Sequence, residues 1–314
     1  MTQDEIRFMK FHQRIKFRHL QCFLEVARQG SVGKAAVSLA ISQPAVSKSI
    51  RELEEILEVK LFDRSNRKIS LTRFGDVFLR YASTSVTAIK QGVDTIAYAR
   101  TEEAIKIRIG ALPTSAARIM PLAVKRYKDS GMTAVVEVIT GANEVLLSQL
   151  RMGDLDLVVG RLAEPELLQD LTFEYLYTES ISIVVRADHP LIMQNQQFKL
   201  SQLAEHTVIY PNSSSIIRPY VDRFFISNGI GKFKNRIETV SMAFGRSYTL
   251  TTNAVWIISY GVVAQDLKDS LLVGLPIDTS EIVGSSGLTT RTDIPPSLAT
   301  QKLMQAIRES VPSI

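Results

Sequence analysis

HLQCFLEVARQGSVGKAAVSLAISQPAVSKSIRELEEILEVKLFDRSNRKISLT, residues 19–72, decides how the N-terminal part of this chain folds. With Phe17 ahead of it, the apolar set Leu20, Phe23, Leu24 and Ala27 recurs at helical spacing and predicts a helix of about three turns. Gly30 ends that helix, and Ser31 caps a second, short one carrying Ala35, Ala36, Val37 and Leu39. The alanines allow close helix–helix contact. Ile41 follows a turn, Ser42 is the next N-cap, and Pro44 sits in the first turn of a third helix. Val46, Ile50, Leu53, Ile56 and Leu57 give that helix its buried stripe. Lys60 to Thr72 then alternates and turns at Ser65-Asn66, which predicts a two-stranded ribbon with Arg64, Arg67 and Lys68 at or near its tip.

Two helices joined by a tight turn and followed by a basic ribbon are the layout of a winged helix-turn-helix, which places one helix in the DNA major groove. Gln43, Ser47, Lys48 and Arg51 lie on the polar side of the third helix. Gln suits adenine, Lys suits guanine or phosphate, and the helix N-terminus favours a phosphate. Wing arginines suit a minor groove or the backbone. A solvated helix face and an ordinary hairpin would explain any one of these features, but not their combination.

Charge points the same way. Residues 1–73 hold 14 Lys and Arg against 8 Asp and Glu, and the rest of the 314-residue chain holds 23 against 24. The whole +5 excess therefore sits with the segment expected on double-stranded DNA, where phosphate neutralisation needs it. The single cysteine, Cys22, can form neither an internal disulfide nor a multi-cysteine metal site, so a reducing cytoplasm is the expected compartment and a buried structural thiol the expected role. The first residues carry charges throughout and show no signal peptide. The longest nearly apolar run, Ala254 to Ala264, falls far short of the roughly 20 residues that span a bilayer, so no membrane partner is expected.

Thr72 can cap a segment running to about Arg100. Phe74, Phe78, Ala82, Val86, Ile89, Val93 and Ile96 are spaced there by threes and fours, which predicts a helix about 42 Å long. Its stripe is too long for a surface helix without a partner. Pairing with the same helix of a second copy is expected, because a winged helix reading a two-fold site needs a dimer.

Beyond Glu103 the period changes. Ile105 to Leu112 alternates as a strand. A helix is expected from Pro113 to near Ser130, a strand from Thr133 to Ile139, a helix from Glu144 to Met152 and a strand from Leu155 to Gly160. This βαβαβ order predicts a parallel sheet with helices on both faces. A second α/β unit starts at Ser180–Arg186 and continues through Thr207–Tyr210, a helix near Ile216–Asn228, a strand near Ile237–Val240 and the Asn253–Gly261 apolar run. Ile282–Thr290 and Ser297–Ser310 are expected to return to the first unit. The expected class is α/β, with domains at 1–72 (winged helix-turn-helix), 73–102 (linker and dimerisation helix), 103–179 with 280–314 (lobe I) and 180–279 (lobe II). Two Rossmann-like lobes with two crossovers make a hinge and a cleft, as in periplasmic binding proteins.

Ligands in such sheets sit at the carboxyl ends of strands. Thr114 and Ser115 fall at one strand-to-helix turn, Asn143 at another, and Arg161 follows the third strand. Pro211, Asn212, Ser213 and Ser215 precede the second unit's helix, with Arg218 one turn in. Hydroxyls, amides and free N–H groups at helix starts suit a carboxylate, and Arg supplies charge. Helix capping accounts for each residue singly, whereas their convergence favours a small-anion site.

An enzyme is not expected. His12 and His19 lie in the N-terminal segment. His189 and His206 have no Cys, Asp or second His at metal or triad spacing, so surface or capping roles are expected for them. No glycine-rich phosphate loop occurs, and no cofactor is expected. A pure solute-binding protein would lack the basic N-terminal module and carry a secretion signal, the reverse of what is seen.

The chain resembles the LysR-type transcriptional regulators. The resemblance rests on Phe23–Ala27, Gly30-Ser31, Ala35-Ala36, Ser42-Gln-Pro-Ala-Val-Ser47, Leu53-Glu54, Leu61-Phe62-Asp-Arg64, Leu71-Thr72, Gly75 and Gly153–Leu157, and it spans essentially the whole chain. It implies that Gln43, Pro44, Ser47 and Lys48 face DNA, that Arg67 is a wing arginine, and that a co-inducer meets Thr114 or Ser115, Asn143 and Pro211–Ser215. It also implies a homotetramer built as a dimer of dimers, with RNA polymerase as a further partner. Lys48 stands where many relatives have Arg, which replaces a fork by a point contact. Residues 1–16 form a longer arm than is usual in the family, expected to be disordered or to lie on DNA. Arg14–Leu20, Thr239–Arg246 and Ala254–Ile258 look like the branch regulating protocatechuate catabolism and sugar-binding-protein genes. That branch implies an organic acid of aromatic-catabolite or sugar-acid type.

Overall fold

The computed structural model describes residues 14–65, 69–101, 106–193 and 198–313. Most of the arm expected at residues 1–16 and the wing positions Arg67 and Lys68 lie outside them. The chain divides into two compact units, one of residues 1–105 with 151–154 and one of the remainder.

The first unit opens with α1 (Phe17–Gln29), α2 (Val32–Ser38) and α3 (Gln43–Leu57). Its caps follow from sequence: Ser31 accepts from the Lys34 N–H, and Ser42 accepts from Ala45 with Pro44 in the first turn. Phe23, fully buried, packs its ring 5.2 Å from Phe62 and 5.1 Å from Phe78, tying together α1, the ribbon and the long helix. Val26, Ala35, Ala36, Val46, Ile50 and Leu53 complete this core. The ribbon is β1 (Phe62–Asp63) paired antiparallel with β2 (Ser70–Leu71). Glu54 fixes where it starts: this buried carboxylate accepts from the N–H groups of Leu61 and Phe62 and from Lys60 Nζ. The helix α4 (Arg73–Thr101) spans 29 residues, about 44 Å. Phe78 and Ala82 join the core, whereas Ile89, Val93 and Ile96 are exposed.

The second unit holds two five-stranded sheets. In the first, β3 (Lys106–Ala111) pairs in parallel with β4 (Val135–Thr140) and β5 (Leu157–Arg161), and β12 (Gly284–Arg291) lies antiparallel between β5 and β6 (Leu171–Glu179). In the second, β8 (Val208–Tyr210) pairs in parallel with β9 (Arg236–Glu238) and β10 (Val255–Ser259). There β7 (Ile181–Arg186) runs antiparallel to both β10 and β11 (Leu272–Gly274). The parallel order expected for β3, β4 and β5 is present, and the two strands that run against their neighbours are β7 and β12. Each is the strand on which the chain enters a sheet from the other one, with no helical crossover to turn it around.

A correction concerns the helix expected from Pro113 to Ser130. It breaks into α5 (Pro113–Ala117) and α6 (Ile119–Asp129), with Arg118 at φ −109°. The cause is Pro121, whose ring would meet the carbonyl of Ala117, the residue four positions back, at which α5 stops. α12 (Leu298–Ser310) packs on α6, and Arg126 Nη1 donates to Ser310 Oγ at 2.8 Å. The remaining helices are α7 (Asn143–Arg151), α8 (Pro190–Met193), α9 (Arg218–Ser227), α10 (Met242–Thr251) and α11 (Tyr260–Lys268).

Candidate functional site

In the first unit, α3 buries Val46, Ile50, Leu53 and Ile56 and turns the opposite face outward. Gln43, Pro44, Lys48 and Arg51 are exposed there and Ser47 is half-buried, while Arg64 is exposed just after β1. Glu52 sits one turn beyond Lys48. Its carboxylate accepts from Arg18 at 2.9 Å and from His19 Nε2 at 3.1 Å, with Lys48 Nζ at 3.9 Å. Hydrogen bonds from Arg18, then His19, hold this carboxyl below the usual range. His19 is buried, and its Nδ1 accepts from the Lys16 N–H, so Nε2 carries the proton given to Glu52. The exposed face of α3 thus carries a compact positive point at Lys48, a flat amide at Gln43, and a carboxylate 3.9 Å from the lysine.

In the second unit, a cavity of about 650 Å³ is walled by both sheets. Thr114 and Ser115 reach it from the start of α5, Asn143 from the start of α7 and Arg161 from the end of β5. Pro211, Asn212 and Ser215 follow β8, and Ser241 caps α10 at the wall. The N-terminal turns of α7 and α10 therefore face one volume, and oriented N–H groups make that volume favourable to an anion.

Two expected wall residues are not there. Ser213 is exposed to solvent and does not line the cavity. Arg218 is consumed by structure: Nε donates to both oxygens of Asp222 at 2.9 Å, Nη1 donates to the Pro211 carbonyl at 2.7 Å, and Glu238 lies 3.5 Å away. Tyr210 completes the cluster by donating to Asp222, so Arg218 shapes the Pro211 loop from behind.

Arg161 behaves differently. It is 6% exposed, lines the cavity, and has no hydrogen-bond partner on Nε, Nη1 or Nη2. Burial pulls its pKa below the ordinary arginine value, and its Cζ lies 4.8 Å from the Tyr220 ring. A buried donor without a partner costs about 1–3 kcal/mol, more when charged. Asn143 Nδ2 is unpartnered in the same wall. The chemistry this pair accepts is an oxyanion, ideally a planar carboxylate on the guanidinium fork.

Glu179 and Ser286 line this cavity too, with the buried Tyr177 close to both, and sequence reading misses all three. Tyr175 pairs with Gly287 and Tyr177 with Ser286, so Leu176 is an extra residue in β6. The resulting bulge reverses the side-chain faces beyond it. Tyr175 stays exposed, while Tyr177 and Glu179 turn inward. Strict alternation would have placed Tyr175, Tyr177 and Glu179 on one face, and no local signal marks the bulge. Among the described residues, no group of three or more His, Cys, Asp or Glu converges as a metal-ligand set, and no helix is long and apolar enough to cross a membrane.

Residues 17–76 match the model of the bacterial regulatory helix-turn-helix protein, lysR family, and residues 100–312 match the LysR substrate binding domain. The HTH-type transcriptional regulator PcaQ of Agrobacterium fabrum is 50% identical over 298 residues, covering 95% of this chain and 96% of its own. The uncharacterized HTH-type transcriptional regulator YdcI of Escherichia coli is 34% identical, covering 96% of this chain and 98% of its own. A full-length OxyR variant from Pseudomonas aeruginosa shares the fold with a TM-score of 0.65 at 20% identity, over 94% of this chain and 95% of that one. A DNA-binding helix-turn-helix joined to a substrate-binding domain, in a chain whose relatives are regulators and not enzymes, makes this protein a member of the LysR family of transcriptional regulators.

Proposed function

We propose that this regulator binds promoter DNA through α3 and the wing, and that a small organic acid in the cavity of the second unit switches its action. The observation that carries the reading is the buried Arg161 guanidinium, with three unpartnered nitrogens in a cavity wall shared with Asn143, Ser115 and the start of α10 at Ser241. Filling the site with a carboxylate satisfies donors that otherwise go unmet. Thr114, Pro211, Asn212 and Ser215 complete the contact set. Gln43, Pro44, Ser47, Lys48 and Arg51 are the groove-facing set, with Arg64, Arg67 and Lys68 on the phosphate backbone or in a minor groove. The exposed Ile89, Val93 and Ile96 of α4 suit pairing with a second copy, and a dimer of dimers would present four reading helices. The match of residues 100–312 to the LysR substrate binding domain supports a small-molecule effector for this chain.

The test is electrophoretic mobility of the full chain on its own upstream intergenic DNA, at several salt concentrations, with and without aromatic and sugar acids. A sequence-specific shift that one acid alters is the expected result. No preference over random DNA, or indifference to every acid, defeats the proposal.

A further inference from the structure

The cavity wall contains a group that a plain carboxylate leaves unanswered. Glu179 ends β6, lines the cavity, and is 2% exposed. Its Oε1 accepts the Gly261 N–H at 2.7 Å, while Oε2 has no hydrogen-bond partner. One wall thus holds unmet donors, on Arg161 and Asn143, beside an unmet carboxyl oxygen. The occupant that satisfies both kinds carries an oxyanion at one end and a hydrogen-bond donor at another.

Two classes of donor could meet Glu179, a cationic amine or a hydroxyl. The surroundings choose between them. Arg118 Nη1 stands 3.8 Å from Oε2, and Arg161 adds a second positive charge to the same carboxyl. A third cation there would be repelled, whereas a hydroxyl adds no charge. A hydroxyl also accepts as well as donates. Burial raises the Glu179 pKa, and a hydroxyl meets this carboxyl in either protonation state.

We propose that Glu179 is a specificity-determining residue that selects hydroxylated acids, by taking a hydrogen bond from an effector hydroxyl while Arg161 holds the carboxylate. The inference rests on the acid-binding reading of the cavity and narrows it to hydroxy acids.

Calorimetric titration of the full chain tests it with matched probes: malate against succinate and aspartate, 4-hydroxybenzoate against benzoate, and gluconate against hexanoate. The hydroxylated member of at least one series is expected to bind about tenfold tighter than its deoxy partner, the effect of leaving a buried acceptor unmet. Glu179→Met keeps the side chain's length and bulk but offers the effector hydroxyl neither an acceptor nor a donor, and its circular-dichroism spectrum shows whether the fold survives loss of the Gly261 contact. It should cut the ratio of hydroxylated to deoxy affinity to about threefold or less, whatever it does to the two affinities together. Equal affinities within every series, a preference that survives Glu179→Met, or aspartate binding tighter than malate would each overturn the assignment while leaving the acid site standing. Failure of every acid to bind, hydroxylated or not, overturns the acid reading itself and this assignment with it.

Discussion

Arg161 fills the space that a side chain on Gly284 would take: a Cβ there would stand 1.9 Å from Arg161 Nε and 2.2 Å from Cζ. Gly284 opens β12, where the chain returns to the first sheet of the second unit. The proposed effector anchor is thus seated on a strand that carries the chain between sheets, with Tyr220 of α9 on its guanidinium.

Gly284→Ala should therefore move Arg161 without unfolding the unit, because the obstructed atoms are the end of a flexible side chain. We expect acid affinity to fall about tenfold or more, the range of one charge-assisted hydrogen bond, with an unchanged circular-dichroism spectrum. Calorimetry that found wild-type affinity in this variant would mean that Arg161 does not hold the acid.

Gln43→Ala should weaken binding to the operator by about 1–3 kcal/mol while leaving random DNA and the acid unaffected. Lys48→Ala should lower the slope of log affinity against log salt by about one charge on all sequences. Fluorescence anisotropy on operator and scrambled duplexes separates the two, and equal loss of both duplexes in the Gln43 variant argues against base reading.

Glu54→Ala leaves the N–H groups of Leu61 and Phe62 without their acceptor inside the core. A loss of about 2–4 kcal/mol in chemical denaturation is expected from two orphaned donors. Glu54→Gln, which retains an acceptor, should lose clearly less. Similar losses in the two variants would remove the hydrogen bonds as the cause.

His189 is fully buried, with Nδ1 accepting from the Leu191 N–H and Nε2 donating to the Asn253 carbonyl. Burial chiefly, with the charges of His206 and Arg186, lowers its pKa, against the opposing effects of the Asn253 bond and Asp188. The folded value lies below the unfolded one of about 6.5, so the unfolded state binds the proton first and stability falls as pH drops below about 6.5. Trp256, the single tryptophan, is buried on β10 and reports this sheet. Its thermal unfolding midpoint should fall between pH 7 and 5 in the native chain and fall less in His189→Gln. Parallel profiles would assign the acid sensitivity to other groups.

The elements with clean periodicity are legible in the sequence alone. The stripe Val46, Ile50, Leu53 sets α3, and the Ser42–Pro44 cap sets its start. The βαβαβ order sets the parallel core of the first sheet of the second unit. What escapes does so for physical reasons. α10 carries Gly245, which reads as a helix breaker, yet a Cβ there would lie 2.5 Å from the Trp256 ring, so only glycine lets the helix cross that indole. β6 escapes because its bulge destroys the two-residue period that identifies a strand. The site is half legible: Thr114, Ser115, Asn143 and Arg161 sit at strand ends, where chain order alone places them. Arg218 misleads because a cation at a helix start looks like a ligand group until its carboxylate partner, Asp222, is seen one turn on.

β12 lies between β5 and β6, although 122 residues separate the start of β12 from the end of β5. On a ribosome making the chain from its N-terminus, β5 and β6 emerge long before the strand that must sit between them. The second sheet, drawn wholly from residues 181–274, can close while they wait. Until then two strand edges stand open, the state in which a chain is most exposed to wrong pairings. A stop codon between Glu179 and Gly284 would leave that gap permanently unfilled, so nonsense changes there should yield aggregated protein instead of a shortened regulator.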